Sequence, residues 1–372
     1  MNVHLTLVPF IKAAGELKTK PTQHSVGELR RIGITPDMII CRSERPLSKE
    51  LKDKIAISCG VEKNCVIESP DCKSIYQIPI VFLQQDILTP ISECLDLGEL
   101  KVDMNEWNEL VRRVNEPTNK VRIAFVGKYL ELKESYKSLT EALIHSGANL
   151  DTKVDIKWCD SERIDFENVD EILKDVDGVL VAGGFGKRGI KGKMEAIKYA
   201  RIHKIPYLGI CLGMQLALIE FARDVLGIKE ANSVEFDEDT KEPIIYLIDE
   251  FIDSHGKKQL RTHKSPLGGT MRLGGYEYNI KSNSLLNKIY NGVKTAKERH
   301  RHRFEANPKY KEKFEKSGLI VSGESDGLIE AVELKDHPFF IGVQFHPEFT
   351  SRLTKPNPVI TGFLSAALKN SK

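Results

Sequence analysis

A cysteine set between two glycines is the residue of this chain best placed for nucleophilic chemistry. In Gly209-Ile210-Cys211-Leu212-Gly213 an apolar stretch leads into a helical pattern. The G-x-C-x-G spacing is that of the nucleophile elbow, a sharp strand-to-helix turn, with cysteine in place of serine. The N-terminus of the following helix would favour the thiolate. We therefore expect Cys211 to be a nucleophile, with a buried structural cysteine as the alternative.

A histidine and a glutamate near the C-terminus could activate this cysteine. The apolar stretch Phe340–Phe345 ends in His346-Pro347-Glu348, and the stiff proline lets the two flanking side chains converge. His346 could take the thiol proton and return it to a leaving group, while Glu348 holds the imidazole tautomer. By itself, His-x-Glu is more typical of a surface histidine beside a solvated carboxylate.

A glycine-rich loop could hold the oxyanion of such a reaction. Gly183-Gly184-Phe185-Gly186 follows a second apolar stretch, so the N–H groups of Gly184 and Leu212 are candidate donors. A phosphate loop is excluded here, because Gly186-Lys187 is followed by Arg188. The chain holds no G-x-x-x-x-G-K-[ST] motif.

The elements that must position these groups alternate between strand and helix patterns. From Val121 onward, short continuous apolar strands alternate with helices, which predicts an α/β fold with a doubly wound, mostly parallel sheet. Ligands then lie at the carboxyl ends of the strands. We expect this domain over residues 121–372, a charged irregular linker over 98–120, and an incomplete α/β segment over 1–97.

Composition limits the class of protein. The 372 residues have a net charge of +2 and no apolar run of membrane-spanning length, so we expect a cytoplasmic protein without nucleic-acid or membrane partners. The seven cysteines are scattered and form no C-x-x-C, which argues against disulfides and a structural zinc site.

The two motifs together resemble those of class I glutamine amidotransferases. The pair consists of Gly209–Gln215 and Gln344–Glu348. Further segments resemble the CTP synthase family, whose synthetase domain is of the Rossmann-like phosphate-loop class; they are Lys18–Val26, Ile40–Ser43, Ser74–Pro79, Leu267–Gly274 and Glu298–Glu305.

This resemblance implies a glutamine site. Its residues would be Gly184, Leu212, Gly213, Met214, Gln215, Glu235 and Arg303. The chemistry agrees, because a zwitterionic substrate needs a carboxylate for its ammonium group and an arginine for its carboxylate. The alternative for Arg299–Arg303 is a basic surface run that contacts nucleic acid.

The resemblance also implies nucleotide sites in the first segment. The UTP/CTP site would hold Lys18, Thr19, Lys20, Pro21, Thr22, Gln23 and Lys54, and the ATP site would hold Arg42, Asp71 and Cys72. Two lysines on a proline-containing loop suit phosphate binding. Without the resemblance, K-x-K is more typical of a solvated surface.

The family reaction converts ATP, UTP and glutamine into CTP, ADP, phosphate and glutamate, as a glutamine-hydrolysing ligase. The resemblance further implies Mg²⁺, GTP as activator, CTP as inhibitor, a homotetramer and no covalently bound cofactor. Because only 17 residues precede Lys18, we expect the C-terminal part of such an enzyme, with a complete glutaminase domain, a truncated synthetase domain and no magnesium ligands. This chain would then perform only the glutaminase half-reaction; the alternatives are a free-standing glutaminase and a non-catalytic remnant.

Overall fold

A computed structural model describes residues 1–128, 134–247 and 271–372, together with the backbone of 250–252 and 258–260. The chain divides into two units, Met1–Glu116 and Pro117–Lys372. Residues 267–270 of the segment Leu267–Gly274 lie outside the described residues.

The first unit is built on a small parallel sheet. Its strands are β1 Val3–Leu7, β2 Phe10–Ile11, β3 Glu16–Leu17, β4 Met38–Ser43 and β5 Val66–Pro70. Its helices are α1 Lys20–Arg31, α2 Lys49–Cys59, α3 Ile78–Gln84, α4 Leu88–Leu95 and α5 Asn105–Asn115. Strands β1, β4 and β5 are parallel in that order, and β2 and β3 form a separate antiparallel pair. The core lies between this sheet and α1 and α2, around Val26, Ile39 and Ile55.

Helix α5 corrects the prediction of an irregular segment over residues 98–120. Leu110 and Val111 are buried, and the Trp107 indole N–H donates to the Tyr76 carbonyl at 2.9 Å. Apolar residues three and four positions apart form one helical face, which packs despite the high charge of the segment. The charged residues of α5 lie on the opposite face of the helix, and their number made the segment read as irregular.

The second unit is organised around a nine-stranded sheet. The strands of this unit are β6 Asn119–Gly127, β7 Thr152–Asp160, β8 Gly178–Val181, β9 Tyr207–Ile210, β10 Ala231–Ser233, β11 Glu242–Leu247, β12 Glu250–Ile252, β13 Lys258–Leu260, β14 Arg272–Ile280, β15 Thr295–His302, β16 Phe304–Ala306, β17 Leu319–Ser325, β18 Leu328–Leu334 and β19 Phe340–Val343. The sheet order is β15-β14-β17-β18-β19-β9-β8-β6-β7. Strands β7, β6, β8, β9 and β19 are parallel, and the other four extend the sheet antiparallel.

Helices cover both faces of the parallel part. The described helices of this unit are α6 Lys137–Asn149, α7 Val169–Leu173, α8 Ile190–Ile202, α9 Leu212–Asp224, α10 Leu285–Ile289, α11 Lys311–Lys316 and α12 Pro358–Asn370. On β6, Ala124 and Val126 pack with α8 and α9, whereas Ile123 and Phe125 pack with α6 and α12. Since successive strand residues point to opposite faces, an all-apolar strand requires cover on both sides. The predicted α/β class is confirmed.

Among the described residues, no helix is long and apolar enough to cross a membrane.

Candidate active site

Cys211 occupies a strained turn between β9 and α9. Its backbone has φ +54° and ψ −105°, a region that side-chain-bearing residues rarely adopt. Its N–H donates to the Val343 carbonyl at 2.7 Å, which ties the turn to the end of β19. Such strain persists only where the surroundings impose it, and it is typical of functional sites.

The two glycines of G-x-C-x-G make this turn possible. A Cβ on Gly213 would lie 2.3 Å from the Val181 carbonyl oxygen, and one on Gly209 would lie 2.4 Å from the Tyr207 hydroxyl. Neither contact can be relieved by a flexible side-chain end, since one partner is backbone and Tyr207 is fully buried. Helix α9 therefore starts directly against the sheet.

His346 and Glu348 lie next to the same strand ends. The residues after β19 continue to His346, whose backbone N–H donates to the Arg299 carbonyl at 2.8 Å. A 3₁₀ turn over Pro347–Phe349 brings Oε1 of Glu348 to 2.8 Å from Nδ1 of His346. Burial by itself would lower the pKa of the His346 imidazole, but hydrogen bonds to Cys211 and Glu348 outweigh it and raise that pKa to about 10. The three predicted residues therefore form one connected group.

The glycine loop after β8 completes this group. A Cβ on Gly183 would lie 3.3 Å from Cε1 of His346 and 3.5 Å from Cβ of Cys211, and one on Gly184 would lie 3.8 Å from Cδ2 of Leu212. A cavity of about 520 Å³ opens here, lined in part by Gly184, Cys211, His346 and Glu348. The loop thus lies beside Cys211, the predicted nucleophile, at the place where the predicted oxyanion donors are required.

Glu235 and Arg303 lie at the far side of the same loop. The Gly186 N–H donates to Oε1 of Glu235 at 2.8 Å, and the Arg303 guanidinium is 5.9 Å from the Phe185 ring centroid. Burial raises the pKa of the Glu235 carboxyl, and the Gly186 N–H, Lys128 and Arg303 partly oppose that rise. The structure therefore places both charged residues of the predicted glutamine site at one loop.

Two family descriptions match the chain. "CTP synthase N-terminus" matches residues 1–97, and "Glutamine amidotransferase class-I" matches residues 131–366. A CTP synthase of Campylobacter jejuni is 71% identical over 368 residues, which are 99% of this chain and 68% of that protein. The chain belongs to the CTP synthase family. A CTP synthase of Wolinella succinogenes is 65% identical over 372 residues, which are 100% of this chain and 67% of that protein.

A solved structure supports the fold of the second unit. It is described as the Trypanosoma brucei CTPS glutaminase domain with bound acivicin, and it is 39% identical with a TM-score of 0.61. The match covers 67% of this chain and 94% of that one. The chain spans about two thirds of the length of the two CTP synthases above.

The remaining residues of the predicted glutamine site of this CTP synthase family member lie in the first turn of α9. Leu212, Gly213, Met214 and Gln215 are buried there. The Gln215 amide donates to the Phe304 carbonyl at 2.8 Å and to Oε1 of Gln344 at 3.0 Å. Its side chain therefore links the start of α9 to β16 and to the residue after β19, a contact that the sequence did not indicate.

Two lysines beside the loop were missed by the sequence analysis. Nζ of Lys193 donates to the Ala182 carbonyl at 2.8 Å, and that of Lys128 donates to the Phe185 carbonyl. Burial lowers the pKa of the Lys193 ammonium to about 7, aided by the charge of Lys128 and opposed by Cys211. A signal existed, because Lys193 is at helical spacing from the buried Ala196, Ile197 and Ala200.

The predicted UTP/CTP segment is helical from Lys20 onward, where a loop was expected. Lys20–Arg31 form α1, with Pro21 in the first turn, where the missing proline N–H removes no helical hydrogen bond. Thr19 and Thr22 are buried, and the Thr22 hydroxyl donates to the Leu7 carbonyl at 3.2 Å. The Gln23 amide donates to the Thr19 hydroxyl at 3.4 Å. A helix N-terminus still suits an anion.

Two predicted phosphate-site lysines influence the charge of one carboxylate. Lys18 forms an ion pair with Glu16. The hydrogen bond from Lys18, its charge and that of Lys54 hold the pKa of the Glu16 carboxyl below its usual value. The charges of Lys18 and Lys54 therefore act on the same carboxyl group, although 36 positions separate them in the sequence.

The predicted ATP-site residues also lie together. The Arg42 guanidinium pairs with Asp71 and donates to the Ser43 carbonyl at 2.7 Å. Cys72 follows directly, with its thiol donating to the Pro70 carbonyl at 3.4 Å. These residues lie at the carboxyl ends of β4 and β5, the edge at which parallel sheets bind ligands.

Proposed function

We propose that the unit Pro117–Lys372 hydrolyses glutamine, and that the ammonia serves the amination of UTP to CTP, the reaction of the CTP synthase family. One observation carries the proposal: Cys211 lies in a strained elbow and shares a cavity with a histidine that Glu348 holds, and Cys211 and Glu348 both raise the pKa of that histidine. A cysteine with a base and an orienting carboxylate is the arrangement for acyl transfer.

Glutamine would bind beside the glycine loop. Its ammonium group meets Glu235 and its carboxylate meets Arg303, since both charged groups lie at this loop. Sγ of Cys211 attacks the side-chain amide carbon. The N–H groups of Leu212 and Gly184 receive the negative oxygen of the tetrahedral intermediate.

His346 moves the protons. It takes the thiol proton of Cys211 as sulfur attacks and gives that proton to the departing nitrogen, which leaves as ammonia, and a γ-glutamyl thioester remains on Cys211. Water then attacks the thioester while His346 takes a proton from it. Glutamate leaves, and the thiol is regenerated. Glu348 keeps Nδ1 of His346 occupied, so that Nε2 is left for Cys211.

The nucleotide steps are proposed from family membership and the positions of the residues in the first unit. UTP would bind at the N-terminus of α1 with Lys18, Lys20 and Lys54, and ATP beside Arg42 and Asp71. The region matched as CTP synthase N-terminus contains all of them. ATP with Mg²⁺, activation by GTP, inhibition by CTP and a homotetramer are parts of the same proposal.

Ammonia and glutamate release from glutamine by the purified chain tests the glutaminase proposal. We expect release in the presence of GTP, loss of release in Cys211→Ala, and normal release in Cys94→Ala, because Cys94 is exposed and lies in the other unit. If the chain released no ammonia even with GTP and a synthetase-domain partner, the non-catalytic alternative would hold.

We also propose that this chain alone performs only the glutaminase half-reaction. The absence of a G-x-x-x-x-G-K-[ST] sequence supports this proposal. Incubation with UTP, ATP, Mg²⁺ and ammonium, followed by nucleotide chromatography, tests it. Formation of CTP by the purified chain would contradict it.

A further inference from the structure

Gln344 lies fully buried behind the nucleophile, two residues before His346. Its backbone N–H donates to the Glu330 carbonyl at 2.8 Å, which holds it against β18 after β19 has ended. Nε2 of its side chain is 3.7 Å from Sγ of Cys211, within hydrogen-bonding distance for sulfur. The nucleophile therefore has a second polar neighbour besides His346.

The orientation of this amide follows from its partners. The Phe304 carbonyl can only accept, so the amide group of Gln215 that lies 2.8 Å away must be its NH₂. The same NH₂ lies 3.0 Å from the Gln344 amide, which must therefore present its oxygen. That leaves the Gln344 NH₂ facing sulfur. The reverse orientation would place two NH₂ groups together and an oxygen against the thiolate.

An N–H donor stabilises a thiolate more than a thiol, since hydrogen bonds to a charged acceptor are the stronger ones. Unlike His346, an amide keeps its donor at every pH of interest. It also leaves the sulfur less freedom to rotate away from a bound amide carbon. Position, orientation and burial thus all suit a role in the attack itself.

We propose that Gln344 is a further catalytic residue, which donates a hydrogen bond to the Cys211 thiolate and directs its attack, and that Gln215 is the positioning residue that orients it. The expected effect of Gln344 on glutamine turnover rests on the proposed glutaminase function. Its effect on the thiolate itself does not depend on that function.

Alkylation of Cys211 by iodoacetamide, measured as a function of pH by mass spectrometry of the Cys211 peptide, tests the proposal without glutamine. Titratable and charged groups around this corner include His346 and Glu348 after β19, Lys128 after β6, Lys193 on α8, Arg301 on β15, and the buried pair of His300 on β15 and Glu330 on β18. All of them are retained in the variants, so a change between proteins reports the substituted amide.

The informative variant is Gln344→Met, which has similar size and no donor. We expect the pH at half-maximal alkylation rate to rise by about half a unit or more, and kcat for glutamine to fall about tenfold with little change in KM. Gln215→Met should shift the alkylation profile in the same direction. The double variant should shift it no further than Gln344→Met, because Gln215 acts through Gln344.

Gln344→Glu is the second variant, because it keeps the acceptor for Gln215 and places a carboxyl oxygen against sulfur. It should raise the half-maximal pH further than Gln344→Met, and it decides the matter if Gln344→Met does not fold, as judged by its melting curve. Unchanged alkylation profiles in folded variants would overturn the assignment. Shifted profiles without any glutamine turnover in the wild type would uphold it and refute the glutaminase proposal.

Discussion

Nδ1 of His346 and Oε1 of Glu348 lie 2.8 Å apart although a single proline separates the residues. The 3₁₀ turn over Pro347–Phe349 makes this contact possible, because it turns the backbone so that the side chain of Glu348 points toward the imidazole of His346. The contact leaves Nε2 as the nitrogen available to Cys211. In the proposed reaction, this short segment supplies both the base and the group that orients it.

Replacing Glu348 by glutamine should impair this base. We expect Glu348→Gln to lower kcat for glutamine about hundredfold, because the amide no longer stabilises the imidazolium or fixes its tautomer. Steady-state ammonia release checks this. Glu312→Gln is the matched control, since Glu312 is 79% exposed and pairs with Lys316 of the same helix; equal losses in both variants would contradict the assigned role.

The loss of stability in the same variant, Glu348→Gln, should depend on pH. The pKa of His346 is raised from 6.5 to about 10 in the folded chain, so its stabilising contribution is complete below about pH 6.5 and is lost as the pH rises through 10. We therefore expect the free energy of unfolding of wild type to exceed that of Glu348→Gln most at pH 6. Urea unfolding at pH 6 and 9.5 measures it, and a difference that grows with pH would refute the ion pair.

Lys193 should show the opposite pH dependence. Its pKa is lowered from 10.5 to about 7, so the fold carries the cost of a buried charge below pH 7 and is relieved of it as the pH rises toward 10.5. We expect Lys193→Met to be more stable than wild type near pH 6 by a few kcal/mol, with the gap closing as the pH rises. Lys191→Met, on the exposed face of the same helix, should change little.

Gly213 should tolerate no side chain. Gly213→Ala places a Cβ 2.3 Å from the Val181 carbonyl oxygen, which must shift or displace α9. We expect the free energy of unfolding to fall by about 1–3 kcal/mol and glutamine turnover to be lost. The matched change Gly27→Ala, at a helical glycine with open space around it, should be neutral or stabilising. Calorimetry of both variants measures the contrast.

A buried ion pair on the antiparallel side of the sheet should matter for stability. The Arg272 guanidinium lies 2.6 Å from Oε1 of Glu330 and 3.6 Å from Oε1 of Glu305, and all three side chains are almost inaccessible. Arg272→Met leaves two buried carboxylates without their cation, and we expect a loss of about 3–5 kcal/mol. The exposed Arg299→Met, on the neighbouring strand, should cost within about 0.5 kcal/mol.

Much of the candidate site could be predicted because its signals are local. The elbow at Cys211, the His346-Pro347-Glu348 turn and the glycine loop each lie at the end of an apolar strand, and parallel strands bring such ends to one edge. The roles of these residues stay predictions until the variants are measured. Their proximity is a property of the fold described here.

Other structural features were not predicted from the sequence, because their sequence patterns were weak or misleading. The charged residues of 105–115 hid the apolar face of α5, and Pro21 suggested a loop where it begins α1. In β15, Arg299 and Arg301 are exposed while His300 and His302 are buried, so a sequence that reads as a basic run is an alternating strand.

The sequence by itself determined the strand–elbow–helix around Cys211, the His346-Pro347-Glu348 segment that follows an apolar strand, and the α/β class, because strand and helix periodicity and the tight glycine turns are encoded over a few residues. Only the tertiary structure decided which buried polar groups meet there. Lys193, Gln215 and Gln344 come from α8, α9 and the end of β19, and each reaches the site through hydrogen bonds between separate elements. Such partners depend on the packing of the whole sheet, which no local pattern specifies.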